Sequence, residues 1–370
     1  MTDAASTDAS TDASTDDAST DDASSDATSI DATSIDVRAI DPSDSRSFDE
    51  WFVVLHVTDL ERRPQGPGWL RAERLGLALD HDGPEEHRCL VARRRGLVVG
   101  IADLEMFRRE NTHVARIDVR VLPEHRRSGV GRALVEEAER MARASGRTEL
   151  GGMDETPTRA GYADAAGPFA RRLAFSVALR MVRRGLSLPL NPEHAAALRH
   201  HPKVSPAGYS LLTFVDRWPD ADMADRCELG RRMSTDVPVG EQELDEEVWD
   251  EARVRAIEAG LAAQDRAKVT TAARHDATGH LVGFTEVVVP LGAPESSWQH
   301  DTLVMREHRG HGLGLAMKVA NLWEVTARHP GVRTISTWNA AENAPMIAVN
   351  EEMGFVVEAD SAYWLRDITD

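Results

Sequence analysis

The sequence is poor in the residues that would mark several classes of protein. Its 370 residues include two cysteines, Cys89 and Cys227, without Cys-x-x-Cys spacing. This excludes a disulfide framework, and because the histidines also lack ligand spacing, we expect no metal. Lysine occurs only three times and the formal net charge is −19. There is no general basic surface, so we expect no nucleic-acid partner.

Long apolar segments are missing as well. No run of about 18 apolar residues occurs, so we expect no membrane span. The first ten residues, MTDAASTDAS, have neither the basic nor the apolar segment of a secretion signal. These features predict a cytoplasmic protein and leave its oligomeric state open.

The acidic residues are concentrated at the start of the chain. Residues 1–50 hold 14 acids against two arginines, so the other 320 residues carry a net charge of only −7. Within this segment, residues 1–36 repeat Thr-Asp-Ala-Ser units. Such a composition cannot bury enough apolar surface to offset chain entropy, which predicts a disordered acidic tail. The tail could serve solubility alone or dock on a partner.

The rest of the chain contains an internal repeat. Residues 118–134 align without gaps on residues 301–317, with the Asp, Val, Glu, His, Arg and Ala positions and both glycines identical. The same offset of 183 positions places Gly100 on Gly283. Two copies of one domain explain this best, and the length allows two or three domains.

The copies are predicted to span residues 37–187 and 207–370, joined by a linker at 188–206 where turn formers gather. Each copy has the same order of elements. In the second copy we predict a helix at 245–266, strands at 268–274, 281–289 and 301–305, a helix at 312–328, a strand at 334–338, a helix at 344–352 and a strand from 355. This order indicates an α+β fold, a central mixed sheet flanked by helices, in each copy.

A strand, an Arg-x-x-Gly-x-Gly turn and a helix follow one another in both copies. The glycines allow the backbone to approach a ligand, and the first amides of a helix lack partners within the helix. Such a helix start binds phosphate, and Arg126 or Arg309 could add a charged contact. A single match is weak evidence, but two matches at a fixed offset strengthen it.

At these residues the sequence resembles the Gcn5-related N-acetyltransferase (GNAT) superfamily, and its tandem arrangement is similar to the actinobacterial type that includes mycothiol synthase. The resemblance implies acetyl-CoA as co-substrate, with the pyrophosphate on the turn amides and the pantetheine along the preceding strand. It assigns these contacts to Leu303, Val304, Arg309, Gly310, His311, Gly312, Leu313 and Gly314 in the second copy, and to Val121, Arg126, Arg127, Ser128, Gly129, Val130 and Gly131 in the first.

The resemblance is fuller in the second copy. Asn339 and Asn343 stand where the family's polar groups meet the CoA arm, although either asparagine could be a plain turn former. The first copy lacks both asparagines. We therefore expect catalysis in the C-terminal copy and a degenerate N-terminal copy.

Acetyl transfer to an amine needs a proton acceptor, because an alkyl ammonium group cannot attack. Glu286 is the candidate base, and Asp103 is the aligned acid of the first copy. The resemblance assigns the oxyanion donor to the backbone N–H near Val304, and Asn339 completes the catalytic candidates. Glu286 could instead be a solvent-facing strand residue.

The leaving thiolate also needs a proton. Many GNAT enzymes use a tyrosine four residues before a Gly-Phe pair, but this position holds Asn350 here and Ala170 in the first copy. Protonation by solvent or by Tyr363 therefore stays open.

We expect an acetyl-CoA-dependent N-acetyltransferase acting on a small primary amine. An acid-rich run at 241–251 could attract a cationic acceptor or be a solvated helix face. The alternatives are a mycothiol-synthase-like transferase and a non-catalytic acyl-CoA-binding regulatory protein, the latter suggested by the missing tyrosine.

Overall fold

The computed structural model describes residues 34–63, 68–81, 83–159, 162 and 164–369. Most of the predicted acidic tail, residues 1–33, lies outside the described residues. At the other end of the predicted tail, Asp36 already begins the first strand.

The described chain contains nine α-helices and twelve strands. The helices are α1 Ser45–Arg62, α2 Arg71–Leu79, α3 Val130–Ala144, α4 Ala166–Arg172, α5 Pro192–Arg199, α6 Met223–Asp236, α7 Glu251–Ala263, α8 Leu313–Arg328 and α9 Ala344–Met353. The strands are β1 Asp36–Ala39, β2 Glu85–Arg94, β3 Leu97–Phe107, β4 Val114–Val121, β5 Glu149–Pro157, β6 Ser176–Ser187, β7 Tyr209–Val215, β8 Arg266–His275, β9 Leu281–Pro290, β10 Ser296–Val304, β11 Thr334–Ala340 and β12 Val356–Asp367.

The strands form one continuous sheet in the order β1-β2-β3-β4-β5-β12-β6-β11-β10-β9-β8-β7. The last strand of each copy is therefore exchanged. β12 of the C-terminal copy inserts between β5 and β6, and β6 of the N-terminal copy pairs with β12 and β11. Both copies have the predicted mixed sheet flanked by helices, but neither copy completes its sheet alone.

The exchange also mixes the two hydrophobic cores. Ala362, Trp364 and Ile368 from the C-terminal end pack in the core of the N-terminal copy around Leu134. In the opposite direction, Leu186 from β6 packs in the core of the C-terminal copy. Each copy therefore depends on apolar surface supplied by the other.

The acid-rich run lies between the copies. The backbone N–H of Asp245 donates to Asn111 Oδ1, and the Asn111 N–H donates to Asp245 Oδ2, at 2.6 and 2.8 Å. Arg253 of α7 pairs with Glu110 at 2.9 Å. These contacts hold residues 241–250 in an extended path, so α7 begins at Glu251 rather than at the predicted residue 245.

The other predicted elements of the second copy are present with shifts of a few residues. The largest shift is in β10, which runs Ser296–Val304 instead of 301–305. The segment predicted as a linker contains α5, which Asn191 caps by accepting from the Glu193 N–H at 2.9 Å. The boundaries at 187 and 207 stay a prediction, because the strand exchange crosses them.

Trp364 tests the exchange. Replacing this almost fully buried ring (5% exposed) by alanine should lower the free energy of unfolding by about 3–5 kcal/mol. On the same strand, Val356 is 59% exposed, and Val356→Ala should change stability by no more than about 0.5 kcal/mol. Urea unfolding of both variants measures the difference. Equal stabilities would contradict a core shared through β12.

Candidate active site

A cleft opens where β10 and β11 separate. The two strands pair in parallel over only three residues, from Ser296 opposite Thr334 to Trp298 opposite Ser336. On its other edge β11 pairs with β6 along its whole length, including the residues after Ser336. The edge of β10 up to Val304 is therefore left without a neighbouring strand. The cleft that results has a volume of about 600 Å³.

Most of the predicted cofactor residues of the C-terminal copy line this cleft. They are Leu303, Val304, Arg309, Gly310, Gly312, Leu313, Gly314 and Asn343. Glu286, Asn339 and His311 do not line it. His311 is exposed and packs on Tyr209, with the ring centroids 5.5 Å apart.

The turn before α8 leaves the helix start open. Gly310 and Gly312 have φ values of +86° and +77°, which a residue with a Cβ adopts only with strain. Helices α1, α7 and α9 are capped by Asp44, Asp250 and Asn343, whereas α8 has no side-chain cap. Its first amides are therefore available to an anion.

The guanidinium groups of the turn arginines, Arg309 and Arg126, form hydrogen bonds to the preceding strand and to an acid, and not to the start of the following helix. Arg309 Nε donates to the Val304 carbonyl at 3.0 Å, and its Nη2 pairs with Asp236 at 2.8 Å. Arg126 makes the matching bonds to Val121, at 3.0 Å, and to Glu61. Both guanidinium groups fasten the turn to the strand and to a helix, and the expected charged contact to phosphate is not prepared in either copy.

A cation from outside the motif lies over the turn instead. Lys203 lines the cleft, and its Cβ would be only 2.8 Å from a Cβ placed on Gly312. No sequence signal marked Lys203, because it stands about a hundred residues before the turn. Val237 and Pro238, which follow α6, were missed for the same reason and also line the cleft.

The N-terminal turn has the same shape but is more crowded. Arg127 takes the place of Gly310 and holds a φ of +61°. A Cβ on Gly131 would meet the Phe169 ring at 3.1 Å, whereas at the matching Gly314 the nearest atom is Val349 Cγ2, at 3.8 Å. The aromatic ring therefore occupies space beside the helix start that the C-terminal copy leaves open.

The copies also differ in the strand before the turn. The register between β10 and β9 shifts by one residue between Gln299 and Thr302, which is a β-bulge at His300 and Asp301. The pairing of β4 with β3 in the N-terminal copy runs without a shift. A bulge redirects side chains and backbone amides locally, and only the C-terminal strand has this one.

Glu286 is buried opposite the bulge. Its Oε1 accepts from Thr270 Oγ1 at 2.9 Å and from Trp218 Nε1 at 3.3 Å, and it pairs with Lys268 Nζ at 3.2 Å. Burial alone would raise the pKa of Glu286, but the charges of Lys268 and Arg226 lower it to about 2. Glu286 is therefore not the solvent-facing strand residue that its sequence position allowed.

Asp301 in the bulge is the second acid of this region, and it was not among the site residues expected from the sequence. Burial and the negative charge of Glu286 raise the pKa of Asp301 to about 6. No hydrogen bond or ion pair joins its carboxylate to another described residue.

The corresponding acids of the N-terminal copy are all paired. Asp103 pairs with Arg74 and lies 3.1 Å from His87 Nδ1. Asp118, which aligns with Asp301, pairs with Arg120 at 2.8 Å. These partners hold the acids in ion pairs and leave no free carboxylate.

The asparagines of the second copy have distinct partners. Asn350 Nδ2 donates to Asn339 Oδ1 at 2.7 Å, which fixes the side-chain amide of Asn339. Asn343 Oδ1 caps α9 by accepting from the Met346 N–H at 3.3 Å. Tyr363 packs against Gly151 and Arg116 of the N-terminal copy and does not line the cleft, so the exchange of β12 removes it as a proton donor there.

Within the described ranges, no group of three or more His, Cys, Asp or Glu side chains is arranged to hold a metal ion. None of the helices in this part of the chain is both long and apolar enough to cross a bilayer.

Comparison with known proteins places these features in context. The acetyltransferase (GNAT) family model matches residues 48–163 and 234–355. A tandem GNAT protein from the clavulanic acid biosynthesis pathway is 29% identical, with a TM-score of 0.72 over 91% of this chain and 99% of that chain. A GCN5-related N-acetyltransferase from Sphaerobacter thermophilus shares the fold at 17% identity, with a TM-score of 0.63 over 91% of this chain and 96% of that chain. A search of curated proteins gave no match.

The Glu286–Lys268 pair predicts a pH-dependent stability. The pKa of Glu286 falls from 4.5 to about 2 on folding, so its contribution is present above about pH 4.5 and is lost as the pH falls toward 2. Lys268→Met should lower the free energy of unfolding near pH 7 by about 3–5 kcal/mol and flatten this acid dependence. Urea unfolding from pH 2 to 7 measures both. Lys203→Met, at an exposed position, is the control and should leave the curve unchanged.

Proposed function

The chain belongs to the GNAT family of acetyltransferases, and on that premise we propose that its C-terminal copy transfers an acetyl group from acetyl-CoA to the primary amine of a small molecule. One observation carries the proposal. The unpaired edge of β10 and the uncapped start of α8 meet at one cleft in that copy. The first offers donors to a thioester and the second offers donors to a phosphate.

The first amides of α8, starting at Leu313, would hold the pyrophosphate of acetyl-CoA, with Lys203 as the nearby positive charge. Leu303, Val237 and Pro238 supply an apolar wall for the pantetheine arm. Acetyl-CoA brings the activated thioester to this cleft. The described residues fit such a molecule, because the donors lie at the helix start and the apolar wall leads away from them.

The Val304 N–H is the proposed donor to the oxygen of the thioester. The Met305 N–H points to β9, since it donates to the Val282 carbonyl at 2.9 Å. Successive amides of a strand point to opposite edges, so the Val304 N–H points away from β9 into the cleft. A fixed amide at this position stabilises the negative charge that develops on the oxygen.

Glu286 and Asp301 are the two acids that would take part in removing the proton from the amine. Glu286 is the base expected from the sequence, but its Oε1 is already shared by three donors, and a carboxylate with a pKa of about 2 is a weak base. Asp301 has no such partners and a pKa near the working pH. We assign proton uptake to Asp301, which does not line the cleft itself but directly precedes the lining residue Thr302, with Glu286 as the charge that keeps its pKa high.

Among the described residues that line the cleft there is no tyrosine to protonate the leaving thiolate. The side-chain amide of Asn339, oriented by Asn350, is the donor that we propose for the sulfur region of the CoA arm. Protonation itself would then come from solvent.

The N-terminal copy is proposed to act as a structural partner without catalysis. Its acids are paired, its helix start is narrowed by Phe169 and its strand lacks the bulge. Whether its turn, from Arg126 to Gly131, still holds acetyl-CoA stays a prediction. The acceptor stays a small amine that could be cationic. The acidic run could attract it, although one of its carboxylates, that of Asp245, accepts from the Asn111 N–H of the N-terminal copy.

The alternative functions differ in what they do with acetyl-CoA. A mycothiol-synthase-like enzyme would acetylate a cysteinyl amine, and a regulatory protein would bind acetyl-CoA without releasing thiol. Incubation with acetyl-CoA and a panel of amines, followed by measurement of free thiol, separates either enzyme from the non-catalytic regulatory protein.

Gly312→Asp tests cofactor binding. The variant places a side chain and a negative charge where the pyrophosphate would lie, so acetyl-CoA affinity measured by calorimetry should fall at least about 100-fold. Gly279→Asp is the matched control, because Gly279 has the same φ of +77° and no atom within 4 Å of its added Cβ. Unchanged binding in a folded Gly312→Asp variant would remove this turn from the proposal.

Asp301→Asn tests proton uptake. We expect a rise of kcat/KM with pH near pH 6 in the parent protein, and the variant should abolish that rise and lower kcat by about 10²–10⁴-fold. Asp118→Asn is the equivalent change in the N-terminal copy and should leave kcat of the folded enzyme nearly unchanged.

Glu286→Gln separates the two acids. If Asp301 takes the proton, removing the charge of Glu286 should move that rise in kcat/KM to lower pH, because an ionised Asp301 becomes easier to form. If Glu286 takes the proton itself, Glu286→Gln should instead lower kcat as strongly as predicted for Asp301→Asn, without moving the rise. The pH profiles of the two variants therefore decide between the assignments.

A further inference from the structure

Arg226 is a buried cation within α6, on the same side of the sheet as Glu286. Its guanidinium carbon lies 4.3 Å from the ring centroid of Trp249, 5.1 Å from that of Phe284 and 5.4 Å from that of Trp218. Only 3% of Arg226 is exposed. The three rings enclose the guanidinium and provide cation–π contacts, but they accept no conventional hydrogen bonds.

The hydrogen-bonding capacity of Arg226 is not used. Nε and Nη1 are both buried and have no hydrogen-bond partner. No carboxylate of the described residues lies within ion-pair distance of the guanidinium, although its charge lowers the pKa of both Glu286 and Asp301. Burying donors in this way is costly unless a partner arrives.

The fold itself does not require an arginine at this position. Helices α1 and α6 correspond, because Glu61 and Asp236 bind the equivalent turn arginines. On this alignment Arg226 falls on Trp51, a core residue whose Nε1 donates to the Ala102 carbonyl. The N-terminal copy therefore fills the same place with an aromatic side chain that is fully satisfied.

The structure around Arg226 is adapted to it. Gly230, one turn later on α6, leaves the space into which Trp249 packs, since a Cβ there would lie 2.3 Å from Trp249 Cδ2. The matching residue of α1 is Leu55, which packs in the core. Arg226 and Gly230 thus differ from the residues at the matching positions of the N-terminal copy. Arg226 supplies a guanidinium whose Nε and Nη1 have no partner among the described residues, and Gly230 leaves room for Trp249, one of the rings around it.

We propose that Arg226 binds a carboxylate of the acyl acceptor, so that the acceptor is an amino-acid-like molecule that carries both an amine and a carboxylate. The inference rests on the proposed function of the C-terminal copy. A carboxylate accepts two parallel hydrogen bonds from Nε and Nη2 of a guanidinium, and neither of these Arg226 atoms has a hydrogen-bond partner among the described residues. The amine of the same molecule would then lie toward Asp301, whose carboxylate also lacks a partner.

Matched pairs of acceptors test the substrate class. The full-length protein is given acetyl-CoA with β-alanine or with β-alaninamide, and with the standard amino acids and their amides, and thiol release is followed. We expect turnover of at least one acid and a lower kcat/KM for its amide. Arg226→Met should raise KM for the acid about 10- to 100-fold and change KM for the amide little. Arg231→Met, an exposed arginine of the same helix, is the control.

A second measurement does not depend on turnover. Because the guanidinium lies against Trp218 and Trp249, titration with sodium propionate should give a saturable change in tryptophan fluorescence that Arg226→Met abolishes. If Arg226→Met does not fold, Arg226→Lys keeps the charge but loses the fork, and should weaken the propionate response and raise KM for the acid.

The outcomes separate this inference from the proposed function. Equal use of acids and amides, a propionate response that survives Arg226→Met, or a response of undiminished strength in Arg226→Lys would overturn the role of Arg226 while leaving acetyl transfer intact. Loss of acetyl-CoA binding to the parent protein, measured by calorimetry, would instead contradict the proposed function. Acetyl-CoA binding should be the same in Arg226→Met and in the parent.

Discussion

The pairing of β6 with β12 is the constraint on which the rest of the molecule depends. Each of these strands comes from one copy and also pairs with the fifth strand of the other, β6 with β11 and β12 with β5. β11 pairs with β6 over seven residues and β5 pairs with β12 over nine. By contrast, β11 pairs with β10, and β5 with β4, over only three residues. The exchange therefore holds open a gap beside the fourth strand in both copies.

The two gaps have different chemistry although the backbones match. In the N-terminal copy Arg63 spans from the end of α1 to Glu155 on β5, with two bonds of 2.7 Å, and Arg183 joins the same carboxylate. In the C-terminal copy the corresponding stretch after α6 is Val237 and Pro238, which leave an apolar cleft. Ion pairs thus close one gap, and the same scaffold leaves the other available to a ligand.

The electrostatics of the C-terminal copy follow from three buried charges, those of Lys268, Glu286 and Arg226, and from the half-buried Asp301 beside them. Lys268 fixes Glu286 in its ionised form, and Glu286 in turn raises the pKa of Asp301. Arg226 adds a positive charge that forms no ion pair with the described residues. Buried charges that are not fully compensated are expensive, and they are expected where a ligand completes the arrangement.

Much of the fold could be predicted because its signals are local. The repeat of the glycine turn at a fixed offset indicated the duplication. Apolar periodicity predicted α8, α9 and the strands around them to within a few residues. The positions of Gly310, Gly312 and Asn343 at the cleft also followed, since a turn and a helix start are built by neighbours in sequence.

Only the tertiary structure decided which strands pair and which charges meet. The exchange of β6 and β12 depends on contacts about 180 residues apart, and it moved Tyr363 and Trp364 into the other copy. Lys203 reaches the turn, and Lys268 reaches Glu286, from other elements of the fold. The sequence determined the residue types, but pKa values, ion pairs and an unpaired Arg226 arise from burial and distance, which no local pattern encodes.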